Sequence, residues 1–210
     1  MITVDDIRAY PHQIGDALWR VEAAGIPRRS LAGGVAVCGE AFGAGAIAAA
    51  ILGDRASAPV RDGLDASVGD DSFVLCASYS GDDEAALACF EEAGRRGAPR
   101  AVVCTAGGLA AKAREDSVPV IGVPAGMDDP RAAIVYFVLA ALEAAAQAGA
   151  GPSVRAELEA AVPALTDLAA IEPDEAGGFD LDELAGDRTP AERVLGELIV
   201  GDLAATQRAS

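Results

Sequence analysis

The 210-residue chain is 51% hydrophobic by count, enough to bury a sizeable core, but only 4% aromatic, so Ala, Val, Leu and Ile must build that core. A net charge of −17 repels phosphate backbones and anionic lipid, which argues against nucleic-acid and membrane-surface partners. No uninterrupted apolar run approaches the ~20 residues of a membrane span, and the N-terminus has no basic segment ahead of an apolar one, so a cytoplasmic location is expected.

In chain order, residues 12–24 carry Ile14, Leu18 and Val21 at spacings of four and three, the signature of one helix face, and Gly25-Ile26-Pro27 ends it. Gly34 to Cys38 is a short β-branched run closed by Gly39, followed by a helix of small residues from Ala41 to Leu52. Ala58-Pro59-Val60 is a further, short strand candidate. The alternation then repeats. Ser72 to Ala77 reads as a strand, Asp82 to Arg96 as a helix, Ala101 to Thr105 as a strand, Leu109 to Glu115 as a short helix and Val118 to Val123 as a strand. Arg131 to Gln147 is a helix apolar enough to be largely buried. The strands are continuous apolar runs rather than alternations, as expected where both faces are covered. Strands alternating with helices across short connections predict an α/β fold with a parallel sheet and right-handed crossovers.

After Gly149-Ala150-Gly151-Pro152 the character changes. Residues 153–170 read as one more helix, with Val154, Leu158, Ala161, Leu165 and Leu168 along it. Residues 171–187 hold seven acids and no base, a solvated connector. Thr189-Pro190-Ala191-Glu192 fits a capping box with Pro at the first helical position. It opens a last helix bearing Val194, Leu195, Leu198, Ile199 and Leu203. Residues 1–150 are thus expected to form the α/β domain and 151–210 a helical extension. The apolar face of the last helix must cover this core or a second copy, and a homodimer is expected.

Ligands of an open parallel sheet bind beyond the carboxyl ends of the strands. Four Gly- or Ser-bearing turns occupy that edge: Gly39 to Gly43, Ser78-Tyr79-Ser80-Gly81, Thr105 to Gly108 and Ala125 to Asp128. The Ser-rich turn offers two hydroxyls, the amides of a helix start and a glycine allowing close approach, a chemistry suited to a phosphate or a polyol. The competing reading is a serine that merely caps a helix. Gly39, Gly43 and Gly45 do not follow the dinucleotide spacing, and Lys112 is the chain's single lysine, so neither a dinucleotide nor a Walker-type nucleotide site is expected. No cofactor is expected. The four cysteines (38, 76, 89 and 104) make no CxxC pair and His12 is the one histidine, so no metal is expected either. The cysteines read as small buried hydrophobes of a reducing compartment, Cys38 and Cys104 being best placed for reactivity.

The segment Ser78-Tyr79-Ser80-Gly81, with Glu84, Leu87, Glu91-Glu92-Ala93 and Gly97 after it, resembles the sugar isomerase (SIS) domain. The likeness is to the N-terminal half of bifunctional phosphoglucose/phosphomannose isomerases. Thr105-Ala106-Gly107-Gly108, Val118-Pro119-Val120 and Pro130-Arg131-Ala132-Ala133-x-x-Tyr136 resemble three further stretches of that family, and the match spans about residues 11–147. The resemblance implies a single SIS-type domain with a five-stranded, flavodoxin-like parallel sheet. It also implies that Ser78 and Ser80 hold a sugar phosphate, that Gly39, Gly43, Tyr79, Asp83 and Thr105 line the ligand, and that Arg131 steadies an enediolate oxygen during aldose–ketose isomerisation. This chain departs from the family pattern in two places. Ala41-Phe42-Gly43-Ala44 stands where relatives carry a serine hydroxyl, and Asp82-Asp83 stands for their Asn-Thr. The family's Glu base and His lie in a second domain, and within these residues Glu40, Asp82 or Asp83 could replace that base. A catalytic SIS protein and a non-catalytic binding module for an unphosphorylated or cationic ligand both remain open at this point.

Overall fold

The computed structural model describes residues 2–176, 178 and 187–209. Two helices lead, α1 (Val4–Arg8) and α2 (Tyr10–Ala23). The sheet strands are β1 (Gly34–Gly39), β2 (Val60–Asp62), β3 (Ser72–Ala77), β4 (Arg100–Cys104) and β5 (Val120–Gly122). Between them run α3 (Ala44–Leu52), α4 (Glu84–Arg95) and α5 (Gly107–Glu115), and a 3-10 turn (Pro130–Ala133) leads into α6 (Ile134–Ala148). Three more helices follow, α7 (Arg155–Ala169), the four-residue α8 (Pro173–Ala176) and α9 (Pro190–Ala209).

All strand pairings are parallel and the order is β2-β1-β3-β4-β5, the flavodoxin-like arrangement. Side chains alternate across the sheet. Val35, Val37, Phe73, Leu75 and Val103 point to one core, and Ala36, Cys38, Val74, Cys76, Val102 and Cys104 to another. The first core is closed by α2, α3 and α6; the second by α4 and α5. Both faces are therefore buried, which is why the strands read as unbroken apolar runs.

The segment Pro130–Ala148 is long and apolar enough to cross a membrane, but most of it is buried inside the protein. Its alanines let it lie close against the sheet and α2, as the central helix of a packed core. Outside it, α7 packs on α2, and α9 packs on α7, α3 and α1. Leu195, Ile199 and Leu203 of α9 are buried in the same core, with Val194 and Leu198 partly covered. The capping box at its start is made in full: Thr189 Oγ1 accepts from the Glu192 amide at 3.2 Å, and Glu192 Oε2 from the Thr189 amide at 2.9 Å. Most of the acidic stretch 177–186 lies outside the described residues; ahead of it, α8 buries Ala176.

Several elements start later than the sequence pattern suggests. The helix expected from Ala41 begins at Ala44, because Phe42 (φ 50°) and Gly43 (φ 78°) take left-handed backbone. The helix expected from Asp82 begins at Glu84, with Asp83 as its extended N-cap. The short strand expected at residues 58–60 runs instead from Val60 to Asp62, an outer strand whose last residues face solvent.

Candidate functional site

The carboxyl ends of β1, β3, β4 and β5 open onto four loops at one edge of the sheet. The β3 loop is organised from within. Ser78 is fully buried and its Oγ accepts from the Gly81 amide at 3.0 Å, while the exposed Ser80 accepts from the Asp82 amide at 3.1 Å. Gly81 (φ 83°) packs so closely on the Ala106 carbonyl oxygen that a Cβ there would overlap it. Gly39 (φ 94°) is similarly constrained, since a Cβ would meet the Ala77 carbonyl and lie 2.6 Å from the Ala86 methyl. These two glycines set β1, β3, α4 and the β4 loop edge to edge.

Two hydrogen bonds join the remaining loops to this turn. The Thr105 amide donates to the Tyr79 carbonyl at 2.9 Å, and the Met127 amide donates to the Tyr79 hydroxyl at 2.8 Å. Tyr79 therefore seats the loop that leads to Arg131. The Arg131 guanidinium forks onto Asp129, with Nε to Oδ1 at 2.9 Å and Nη2 to Oδ2 at 2.6 Å. Those hydrogen bonds from Arg131 hold the Asp129 carboxyl well below the usual carboxylate range, although the arginine itself stays half exposed. On the β1 loop Glu40 is half-buried, and Phe42 packs its ring on Phe137 with centroids 6.0 Å apart. A bulky residue in left-handed backbone stores strain, and the packing against Phe137 holds it there.

The amides at this edge are already occupied. Helix α3 presents Gly45 and Ala46 N–H groups, and Asp62 takes both, at 2.9 and 3.1 Å. Asp83 takes the Ala86 amide of α4 at 2.8 Å, and Asp82 the Gly108 amide of α5 at 2.7 Å. All three helices that aim their positive ends at the ligand edge are capped by carboxylates of the chain itself. Of these three acids, Asp83 was expected as a ligand-lining residue, and it serves here as a helix cap. Clefts of about 390 and 470 Å³ lie elsewhere, around Arg28 and Arg155 and around Arg95 and Lys112.

One pair at this edge was not foreseen. Tyr10 of α2 donates to Asp202 of α9 at 3.0 Å, and both feel the Arg131 charge. Burial pushes the Asp202 carboxyl up, against the opposing pull of Tyr10 and Arg131. With a sequence separation of 192, no local pattern links these two. His12 is exposed on α2.

The expectation of four unlinked cysteines is corrected. All four are buried, but Cys38 and Cys89 are bridged, with Cα atoms 6.5 Å apart, and Cys76 Sγ lies 3.8 Å from Cys89 Sγ. The three sulfurs lie within 4.8 Å of one another, a grouping that could also hold a soft metal.

No family model matches the chain. It is 33% identical over 134 residues to the bifunctional phosphoglucose/phosphomannose isomerase of Caldicellulosiruptor bescii, a match covering 62% of this chain and 39% of that protein. In sequence and in fold the chain is thus similar to sugar isomerase (SIS) proteins. Solved structures share its fold. The C-terminal domain of glucosamine-fructose-6-phosphate aminotransferase from Francisella tularensis aligns with TM-score 0.52 and 14% identity, over 85% of this chain and 56% of that one. A proposed phosphosugar isomerase from Clostridium difficile 630 aligns with TM-score 0.58 and 12% identity, over 88% and 57%. The chain thus spans about two fifths of its curated relative and little more than half of these structures.

Proposed function

We propose that this SIS protein binds a phosphosugar or related carbohydrate derivative at the carboxyl edge of its sheet and interconverts aldose and ketose forms through an enediolate. The observation that carries this reading is the Tyr79–Met127 hydrogen bond, which seats the Arg131 loop beside the Ser78–Gly81 turn. Ser80, Thr105 and the Gly39–Gly43 loop would then surround the sugar. In the reaction a carboxylate, with Glu40 the candidate, removes the C2 proton, Arg131 steadies the negative oxygen, and the proton returns to C1. Glu40 suits the task because, among the described residues, it stands at the same edge with no hydrogen-bond partner. The protein is proposed to act as a cytoplasmic homodimer, with residues 151–210 as a helical extension of the SIS domain. Incubation with glucose 6-phosphate, fructose 6-phosphate and mannose 6-phosphate in deuterium oxide tests the reaction. Deuterium at C2 supports it, and no exchange with any of the three sinks it.

One observation favours a second reading, a binding module without catalysis for an unphosphorylated or cationic sugar derivative. Asp62, Asp82 and Asp83 fill the helix-end amides that would otherwise attract a phosphate, and like charges on one site repel. Under this reading glucosamine or glucose raises the melting temperature more than glucose 6-phosphate does, and no C2 exchange accompanies it.

A further inference from the structure

Cys38 ends β1 just before Gly39, Cys76 stands directly opposite it on β3, and Cys89 faces both from α4. The sulfur of Cys76 touches the bridge between the other two at its Cys89 end. Cys38 and Cys89 each keep 7% of their surface exposed, whereas Cys76 is sealed inside. Cys104, on the next strand, is buried on the same side of the sheet and joins no bridge.

We infer that Cys38, Cys76 and Cys89 form a thiol–disulfide exchange site in which Cys89 is the shared partner and its bond can sit on either Cys38 or Cys76. In the exchange the Cys76 thiolate attacks Cys89 Sγ. The Cys76–Cys89 bond forms, the Cys38–Cys89 bond breaks, its electron pair leaves on Cys38, and the proton given up by Cys76 ends on the Cys38 sulfur. No external oxidant or reductant is consumed. Cys38 and Cys89 keep a small exposed surface, and the interior Cys76 re-forms a bond with Cys89 when Cys38 is taken away.

The position of the bond has a structural consequence. With Cys38 engaged, the end of β1 is tied to α4, the helix that Asp83 caps. Gly39 and Ala86 already meet there, so the bridge fixes the β1 loop against the β3 loop. With Cys76 engaged, α4 is tied to β3 instead, and the β1 loop with Glu40 is released from α4.

Single serine variants of each cysteine test the inference. Each is reduced, then oxidised with diamide, which takes up two hydrogens as two thiols become a disulfide. Free thiols are alkylated under denaturing conditions and the bonds mapped by peptide mass spectrometry, with circular dichroism confirming the fold. Cys76→Ser should retain a Cys38–Cys89 bond, Cys38→Ser should acquire a Cys76–Cys89 bond in most molecules, and Cys89→Ser should form neither. Cys104 should stay free throughout and serves as the internal control. A folded Cys38→Ser protein with Cys76 and Cys89 both free after oxidation overturns the proposal. So does a wild-type protein that resists oxidation because one metal ion is held by all three thiolates.

Discussion

On one face of the sheet α2, α3 and α6, backed by α7 and α9, bury Val35, Val37, Phe73 and Leu75; on the other, α4 and α5 alone bury Ala36, Cys38, Val74 and Cys76. The thick face is held by area, through many aliphatic contacts around an almost fully buried α6. The thin face covers less surface and adds a covalent tie between strand and helix. It follows that the thick face should answer chiefly to volume, and the thin face to redox state.

The largest effect should come from the thick face. Phe137 is fully buried in α6 and supports the Phe42 ring, so Phe137→Ala should cost about 4 kcal/mol of stability by cavity formation, read by urea unfolding. A loss below about 1 kcal/mol would mean that α6 is not the keystone of this face. Next is the bridge. Reducing the Cys38–Cys89 bond, which spans 51 residues, should lower the melting temperature by about 10 °C. Cys89→Ser should show the lower value with or without reductant.

Alkali should act on the thin face as well. Burial pushes the Cys76 thiol from 9.0 up to about 12 and the Cys104 thiol up to about 11. Because the folded values are raised, the stability these thiols contribute is whole below the unfolded value and is lost as pH rises through the folded ones. Unfolding free energy should therefore fall between pH 9.0 and about 12, where the buried Tyr10 and Tyr136 hydroxyls, raised in the same way, add their own share, and Cys76→Ala with Cys104→Ala should lessen that slope. A slope unchanged in the double variant would refute the assignment. The smallest effect belongs to the loops: Asp83→Ala removes the cap of α4 and should cost about 1 kcal/mol. Asp83→Thr should largely restore that stability and, if the site takes a phosphosugar, tighten its binding.

Much of the fold could be read from the chain because two-sided burial writes strands as apolar runs, as at Ser72–Ala77, and because Thr189 and Glu192 announce a helix start locally. The leading helix α1 was missed, although Thr3 and Asp6 form a capping box, since five residues are too few to show a period. The Arg131–Asp129 fork is a two-residue matter and was within reach as an alternative to a free arginine. The cysteine trio and the Tyr10–Asp202 pair were not. They depend on strand register and on where α9 lands, and neither is encoded by neighbouring residues.

The carboxylates at the helix ends can also be viewed as tethered competitors. Held at a strand end and in a short turn, Asp62, Asp82 and Asp83 face their amides at an effective concentration that short tethers bring to the millimolar range or above. A free phosphate at micromolar concentration cannot displace them by mass action. An anion that is to take these amides must therefore enter by moving the segment that carries a cap, and its arrival would be limited by that motion rather than by diffusion.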